Sequence, residues 1–208
     1  MRLRSSCASF ALFCSSLIAT AQIPAPTCAD LNIVPAVREC TAVKVAETSS
    51  FAVRVSARGD GEDQFAAEDL KSYLNGGGES PHTDGDGPAV LLERAATPEA
   101  SKQLRESHLA FDPAMHDEGY VLLPAGKNLA VIAETSAGLF YGAQTVKQLI
   151  RGSGSARMLL VPTIRDWPAM PHRGLSDDWS RGPLPNMEFV KREIRTLAAY
   201  KYNIFSPY

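Results

Sequence analysis

Among the residues able to do chemistry, Arg173 stands out in this 208-residue sequence. It follows a proline-rich stretch, Asp166-Trp-Pro-Ala-Met-Pro171, and sits beside Gly174, where little blocks access to it. A guanidinium presents its N–H donors as a planar fork and can hold two neighbouring hydroxyls at once. A structural ion pair is the commoner fate of an arginine, and on the residues alone it is the favoured reading. Asp177 and Asp178 invite comparison with glycosidases, which commonly flank the scissile bond with two carboxylates. Adjacent strand residues point to opposite faces, so these two cannot be such a pair. The expectation is that one faces the mouth of the fold while the other caps or pairs locally.

Other chemistries find no support. His82, His108, His116 and His172 are scattered without metal-ligand spacing, so no metal site is expected. There is no His-Glu-x-x-His, no phosphate-binding Gly-x-x-x-x-Gly-Lys, no Gly-x-Ser-x-Gly and no dinucleotide glycine fingerprint. No cofactor is implied. The 21 basic and 23 acidic residues give a net charge of −2, without the basic excess of a nucleic-acid binder.

The N-terminus reads as a secretory signal peptide over residues 1–21. Arg2 and Arg4 precede an apolar stretch, Phe10 to Ile18, and Ala19-Thr20-Ala21 fits a small-x-small cleavage site. The run is too short for a membrane span, which needs ~20 apolar residues, so a secreted or periplasmic protein without a membrane anchor is expected. Cys7 and Cys14 leave with the leader. Cys28 and Cys40 remain, and an oxidising compartment permits them to pair, with two free thiols as the alternative.

Residues 22–40, with prolines and both remaining cysteines, read as an irregular lead-in. From there to residue 165 the pattern is strand, helix, strand, hairpin, helix, strand, which is an α+β domain. Phe51–Val55 alternates as a strand does, and Phe65, Ala66, Leu70, Tyr73 and Leu74 mark a helix face ended by Asn75-Gly-Gly-Gly78. Ala89–Glu93 is a short strand, and a helix is expected around Glu99–Ser107. The clearest signal is a hairpin: 119–123 and 129–133 are β-prone runs around Pro124-Ala-Gly-Lys-Asn128. Ser136 is the expected cap of the next helix, whose Gly138 and Gly142 imply close packing on a sheet. Met158–Val161 begins another strand.

After residue 165 comes one β-α-β unit, 166–208: a strand at Arg173–Asp177, a helix capped by Asn186, and a strand from Ile204. A lone parallel pair leaves both edges open, so this unit is expected to begin a larger domain.

Three blocks resemble one family. Asp117-Glu-Gly-Tyr-Val-Leu, Ala133-Glu-Thr-Ser-Ala-Gly-Leu-Phe-Tyr-Gly-Ala-Gln-Thr-Val-Lys-Gln-Leu149 and Ile164-Arg-Asp-Trp-Pro look like glycoside hydrolase family 20, the β-N-acetylhexosaminidases. His172-Arg-Gly-Leu, Asp178-Trp-Ser-Arg181 and Lys201-Tyr-Asn203 resemble the start of that family's (β/α)₈ barrel. The resemblance implies an accessory domain at 41–165 and an incomplete barrel at 166–208. It implies substrate-assisted, retaining removal of terminal N-acetylhexosamine from glycans, with a catalytic Asp-Glu pair that lies beyond Tyr208. It also places Arg173 against the 3- and 4-hydroxyls of the terminal sugar, with Asp178 as a second substrate-side residue. Ser180-Arg-Gly-Pro183 and Phe205-Ser-Pro-Tyr208 depart from the family's Ser-Arg-His-Phe and Phe-His-Trp-His. The alternative is a stand-alone secreted domain that binds glycan or a partner without catalysis.

Overall fold

The hairpin expected around Gly126 is the centre of the structure. A computed structural model describes residues 25–47, 52–56, 59–74, 88–153 and 157–208. The leader, Phe51 and the 75–78 glycine run lie outside the described residues. Gly126 turns the hairpin with φ +64°, the left-handed conformation that glycine adopts at least cost. Strands β4 (Tyr120–Ala125) and β5 (Asn128–Ala133) flank it and pair antiparallel. Their side chains alternate: Tyr120, Leu122, Leu129, Val131 and Ala133 join one buried cluster, and Val121, Leu123, Ala130 and Ile132 another. Both faces are therefore covered.

Around the hairpin grows a mixed seven-stranded sheet, ordered β1 (Glu39–Glu47), β7 (Met158–Asp166), β4, β5, β3 (Ala89–Arg94) and β2 (Ala52–Val55), with the short β6 (Ile150–Arg151) pairing beside β7. Strand β1 pairs antiparallel with β7, β7 with β4, and β4 with β5. Strands β2 (Ala52–Val55) and β3 (Ala89–Arg94) pair parallel to each other, and β3 runs parallel to β5. Helices α1 (Gly61–Leu74) and α3 (Ser136–Leu149) cover one face. Helix α2 (Pro98–Glu106) and Met115 cover the other. This is the expected sheet with packed helices.

Local details differ from the sequence pattern. Phe65 and Tyr73 are exposed, because the buried stripe of α1 runs through Asp63, Ala66, Ala67, Leu70 and Leu74. At its edges Phe65 stacks on Phe140, and Tyr73 lies beneath the Lys147 ammonium. The cap of α3 is Thr135, whose hydroxyl accepts from the Gly138 N–H at 3.0 Å. Ser136 is the first helical residue and accepts instead from Arg94. Asp166, read as linker, is the last residue of β7.

The close approach implied by Gly138 and Gly142 is present. A Cβ on Gly138 would lie 2.4 Å from the Gly119 carbonyl oxygen, and one on Gly142 would lie 2.4 Å from Val131 Cγ1. Beyond the sheet, β8 (Gly174–Asp177) and β9 (Ile204–Pro207) pair parallel through α4 (Met187–Ala199), whose N-cap Asn186 accepts from the Phe189 N–H.

Gly142→Ala is expected to destabilise the chain by about 1–3 kcal/mol through overpacking. Gly61→Ala, where a Cβ meets nothing within 4 Å, is expected to be neutral or slightly stabilising. Urea denaturation of both variants checks this, and equal effects would contradict it.

Candidate functional site

A buried polar node joins the β8-α4-β9 unit to the sheet. Tyr120 and Asp166 face each other across the β4–β7 pair, and the Tyr120 hydroxyl donates to Asp166 Oδ2 at 2.6 Å. Lys201, just past the end of α4, donates Nζ to the same carboxylate oxygen at 2.8 Å and to the Tyr120 hydroxyl at 2.7 Å. The single phenolic proton goes to Asp166, so Thr145 of α3, 2.6 Å away, must be the donor in its contact with Tyr120. Asp166 Oδ1 accepts from the Arg38 main-chain N–H. All four side chains are buried.

Lys201 reaches the node at a conformational cost. It holds φ +62°, at the helix-end position where glycine is usual. Its N–H donates to the Ala198 carbonyl, while Tyr202 N–H donates to that of Leu197. Burial pushes the Lys201 ammonium below its ordinary pKa, against the opposing pull of Asp166. Burial first, and the Asp166 carboxylate second, push the Tyr120 phenol well above its ordinary value of 10.0.

Arg173, immediately before β8, lies beside the node. Its Nε donates to the Lys201 carbonyl at 2.6 Å and its Nη1 to the Met170 carbonyl at 2.7 Å. Its Nη2 forms an ion pair with Glu118, and the Tyr141 ring lies 5.5 Å from its guanidinium carbon. Burial and then Glu118 raise the Tyr141 phenol, while Arg173 lowers it. Glu118 also accepts from Asn203 Nδ2 at 3.0 Å. A cleft of about 670 Å³ opens here, with Trp167, Tyr141, Tyr200 and Tyr202 among its walls. Of its charged groups, Glu118 is held by Arg173 and Asn203, Arg173 by Glu118 and two main-chain carbonyls, and Lys201 by Asp166 and Tyr120.

The structure does not bring Arg173 and Asp178 together. They stand at opposite ends of β8, five residues apart, or roughly 16 Å along an extended chain. Asp178 accepts from the Ser180 main-chain N–H at 2.9 Å and the Ser180 hydroxyl at 2.5 Å, with Arg181 nearby at 3.5 Å. The Ser180 hydroxyl holds its carboxyl below the ordinary value. Asp177 accepts from the Trp179 indole at 2.7 Å. Cys28 and Cys40 are joined by a disulfide, their Cα atoms 5.9 Å apart. Among the described residues no three His, Cys, Asp or Glu side chains form a metal-binding group, and no helix is long and apolar enough to cross a membrane.

Reading the sequence for chemistry passed over Glu118, Tyr141, Asp166 and Lys201. The available signal was indirect: a lysine where a helix-ending glycine is expected, and a carboxylate directly before a strand-starting glycine and tyrosine.

Residues 30–167 match the profile of glycosyl hydrolase family 20, domain 2. A beta-hexosaminidase of Vibrio furnissii is 35% identical over 99 residues, which are 47% of this chain and 16% of that protein. The chain therefore spans about a sixth of that relative's length. A family 20 β-N-acetylhexosaminidase of Streptomyces coelicolor superposes with a TM-score of 0.61 at 26% identity, over 84% of this chain and 34% of that one. A mutant Streptomyces plicatus beta-hexosaminidase in complex with its product GlcNAc gives 0.62 at 25% identity, over 90% and 36%.

Lys201→Met leaves the buried Asp166 without its counter-ion and is expected to cost about 3–5 kcal/mol. Adding Asp166→Asn should recover part of that loss. A loss below about 1 kcal/mol in urea denaturation, within the range of exposed pairs, would contradict the burial argument. Alkaline pH provides a second test. The folded Tyr120 pKa is raised, so its contribution to stability is complete below pH 10.0, the unfolded value, and drains as pH rises toward the folded value. In ultraviolet titration at high pH, Tyr120 and Tyr141 are expected to ionise above the ordinary phenol value of 10.0. Tyr120→Phe should remove one late phase.

Proposed function

The chain belongs to glycoside hydrolase family 20, and on that premise we propose that it forms the N-terminal part of a secreted hydrolase that removes terminal N-acetylhexosamine from glycans. The observation that carries this reading is the parallel β8-α4-β9 unit, set against a family 20 sheet with Arg173 at its root. A parallel pair with its crossover helix is how a (β/α)₈ barrel begins. A superposition covering 90% of the chain necessarily runs past residue 167 and into this unit, which supports the same assignment.

In this reading hydrolysis is substrate-assisted and retains configuration. The acetamide oxygen of the terminal sugar attacks the anomeric carbon as the glycosidic C–O bond breaks. A glutamic acid protonates the leaving oxygen, and a neighbouring aspartate orients and stabilises the acetamide. Water then reopens the cyclic intermediate. Both carboxyl residues lie on a later barrel strand, beyond Tyr208. What this chain supplies is Arg173, for the 3- and 4-hydroxyls. Those hydroxyls lie across the ring from the anomeric carbon, so an enzyme that cleaves only terminal sugars seats them deepest. A residue at the amino-terminal root of β8 suits that depth. Three of the five N–H groups of Arg173 are used by Lys201, Met170 and Glu118, and the Tyr141 hydroxyl is a further hydrogen-bond partner of the guanidinium. The Cys28–Cys40 disulfide supports secretion into an oxidising compartment.

Purified 208-residue chain is expected not to release nitrophenol from 4-nitrophenyl N-acetyl-β-D-glucosaminide, whereas the product of the gene read on through an Asp-Glu pair should. Turnover by the pure 208-residue chain would overturn the placement of the catalytic pair. A stop codon directly after Tyr208 would favour the non-catalytic glycan-binding reading.

A further inference from the structure

We propose that Glu118 of the accessory sheet is a positioning residue, holding the Arg173 guanidinium in the orientation that meets the sugar. This rests on the reading of Arg173 as a sugar contact.

Glu118 ends the short helix Pro113–Glu118 that leads into β4, so a sheet at the centre of the fold fixes its main chain. Its two carboxylate oxygens go to the two parallel strands of the other unit. Oε2 accepts from Arg173 Nη2, at the start of β8, and Oε1 accepts from Asn203 Nδ2, at the start of β9. Those two residues are tied to each other as well. The Arg173 N–H donates to Asn203 Oδ1 at 2.9 Å, and the Asn203 and Ile204 N–H groups donate to the Arg173 carbonyl at 2.9 and 3.1 Å. One carboxylate thus sets the spacing of two strand origins and the direction of one guanidinium.

Charge makes that carboxylate hard to replace. Arg173 lies close enough to Lys201 for the two cations to repel. Asp166 is the counter-ion of Lys201, and Glu118 is that of Arg173. The other partners of the guanidinium carry no net charge: the carbonyls of Lys201 and Met170, and Tyr141 through its ring and its hydroxyl. Without Glu118 those uncharged partners alone oppose the repulsion from Lys201, and the fork turns away from the node. Glu118 and Arg173 are mostly buried, with side chains 19% and 14% exposed, so solvent screens the pair only in part.

The test is steady-state kinetics of the full-length gene product on 4-nitrophenyl N-acetyl-β-D-glucosaminide, with melting temperatures for every variant. Glu118→Gln removes the charge and is expected to lower kcat/KM by about tenfold or more, chiefly through KM, because a displaced binding group loses affinity steeply. Glu118→Asp keeps the charge with a shorter reach and should fall between Glu118→Gln and wild type. Arg173→Lys, which removes the fork, should raise KM at least as much as Glu118→Gln. If Arg173→Lys raises KM but both Glu118 variants keep the wild-type KM, with or without a lower melting temperature, Glu118 is structural and the proposal fails. If Arg173→Lys itself leaves KM unchanged, the sugar-contact reading fails instead. Should Glu118→Gln not fold, Glu118→Asp decides on the same criterion.

Discussion

The Lys201–Asp166–Tyr120 contact is the constraint that the arrangement of this chain depends on. It draws one residue each from the end of β7, the start of β4 and the loop after α4 into a buried space. Charged groups in such a space are strongly coupled: paired they hold together, and singly they are costly. The hydrogen-bond count closes. Tyr120 donates once and accepts twice, and Asp166 accepts from a phenol, an ammonium and a main-chain N–H. With the phenol and the carboxylate both satisfied the node favours one geometry, so it fixes where β8 and β9 start relative to the sheet as well as holding them.

That geometry gives the accessory sheet a mechanical meaning. Its helices close around an apolar core of their own, whereas α4 has no buried residue and leaves Phe189 and Ile194 exposed. The β8-α4-β9 unit thus draws little from hydrophobic burial among the described residues, and its attachment is mainly polar: Lys201 to Asp166, Arg173 and Asn203 to Glu118. Polar attachments are directional, while apolar burial is not. A unit that must present an arginine in one orientation benefits from the directional kind.

Legibility in the sequence followed the periodicity of burial. The β4–β5 hairpin showed clearly because both faces are buried and a glycine in the left-handed conformation separates two apolar runs. Strand β1 did not, since it lies at the sheet edge and its inward residues Cys40, Val43 and Ala46 are three apart, with a register shift between Cys40 and Val43. A period of two never appears. Phe65 and Tyr73 misled because aromatic bulk reads as core, yet each covers the rim of α1 by ring stacking or beneath an ammonium. At the site, Arg173 was visible from its neighbours Pro171 and Gly174. Lys201 and Glu118 were not, because their roles come from partners 35 and 55 residues away. A lysine at φ +62° is a local conflict whose reason exists only in the tertiary structure.

Hydrogen exchange by mass spectrometry on Lys201→Met tests the central claim, that the buried node clamps the β-α-β unit to a self-sufficient sheet. The account predicts that peptides covering Gly174–Asp177 and Ile204–Pro207 lose protection strongly while those covering Tyr120–Ala133 keep theirs. Unchanged protection of β8 and β9, or an equal loss across the hairpin, would contradict it.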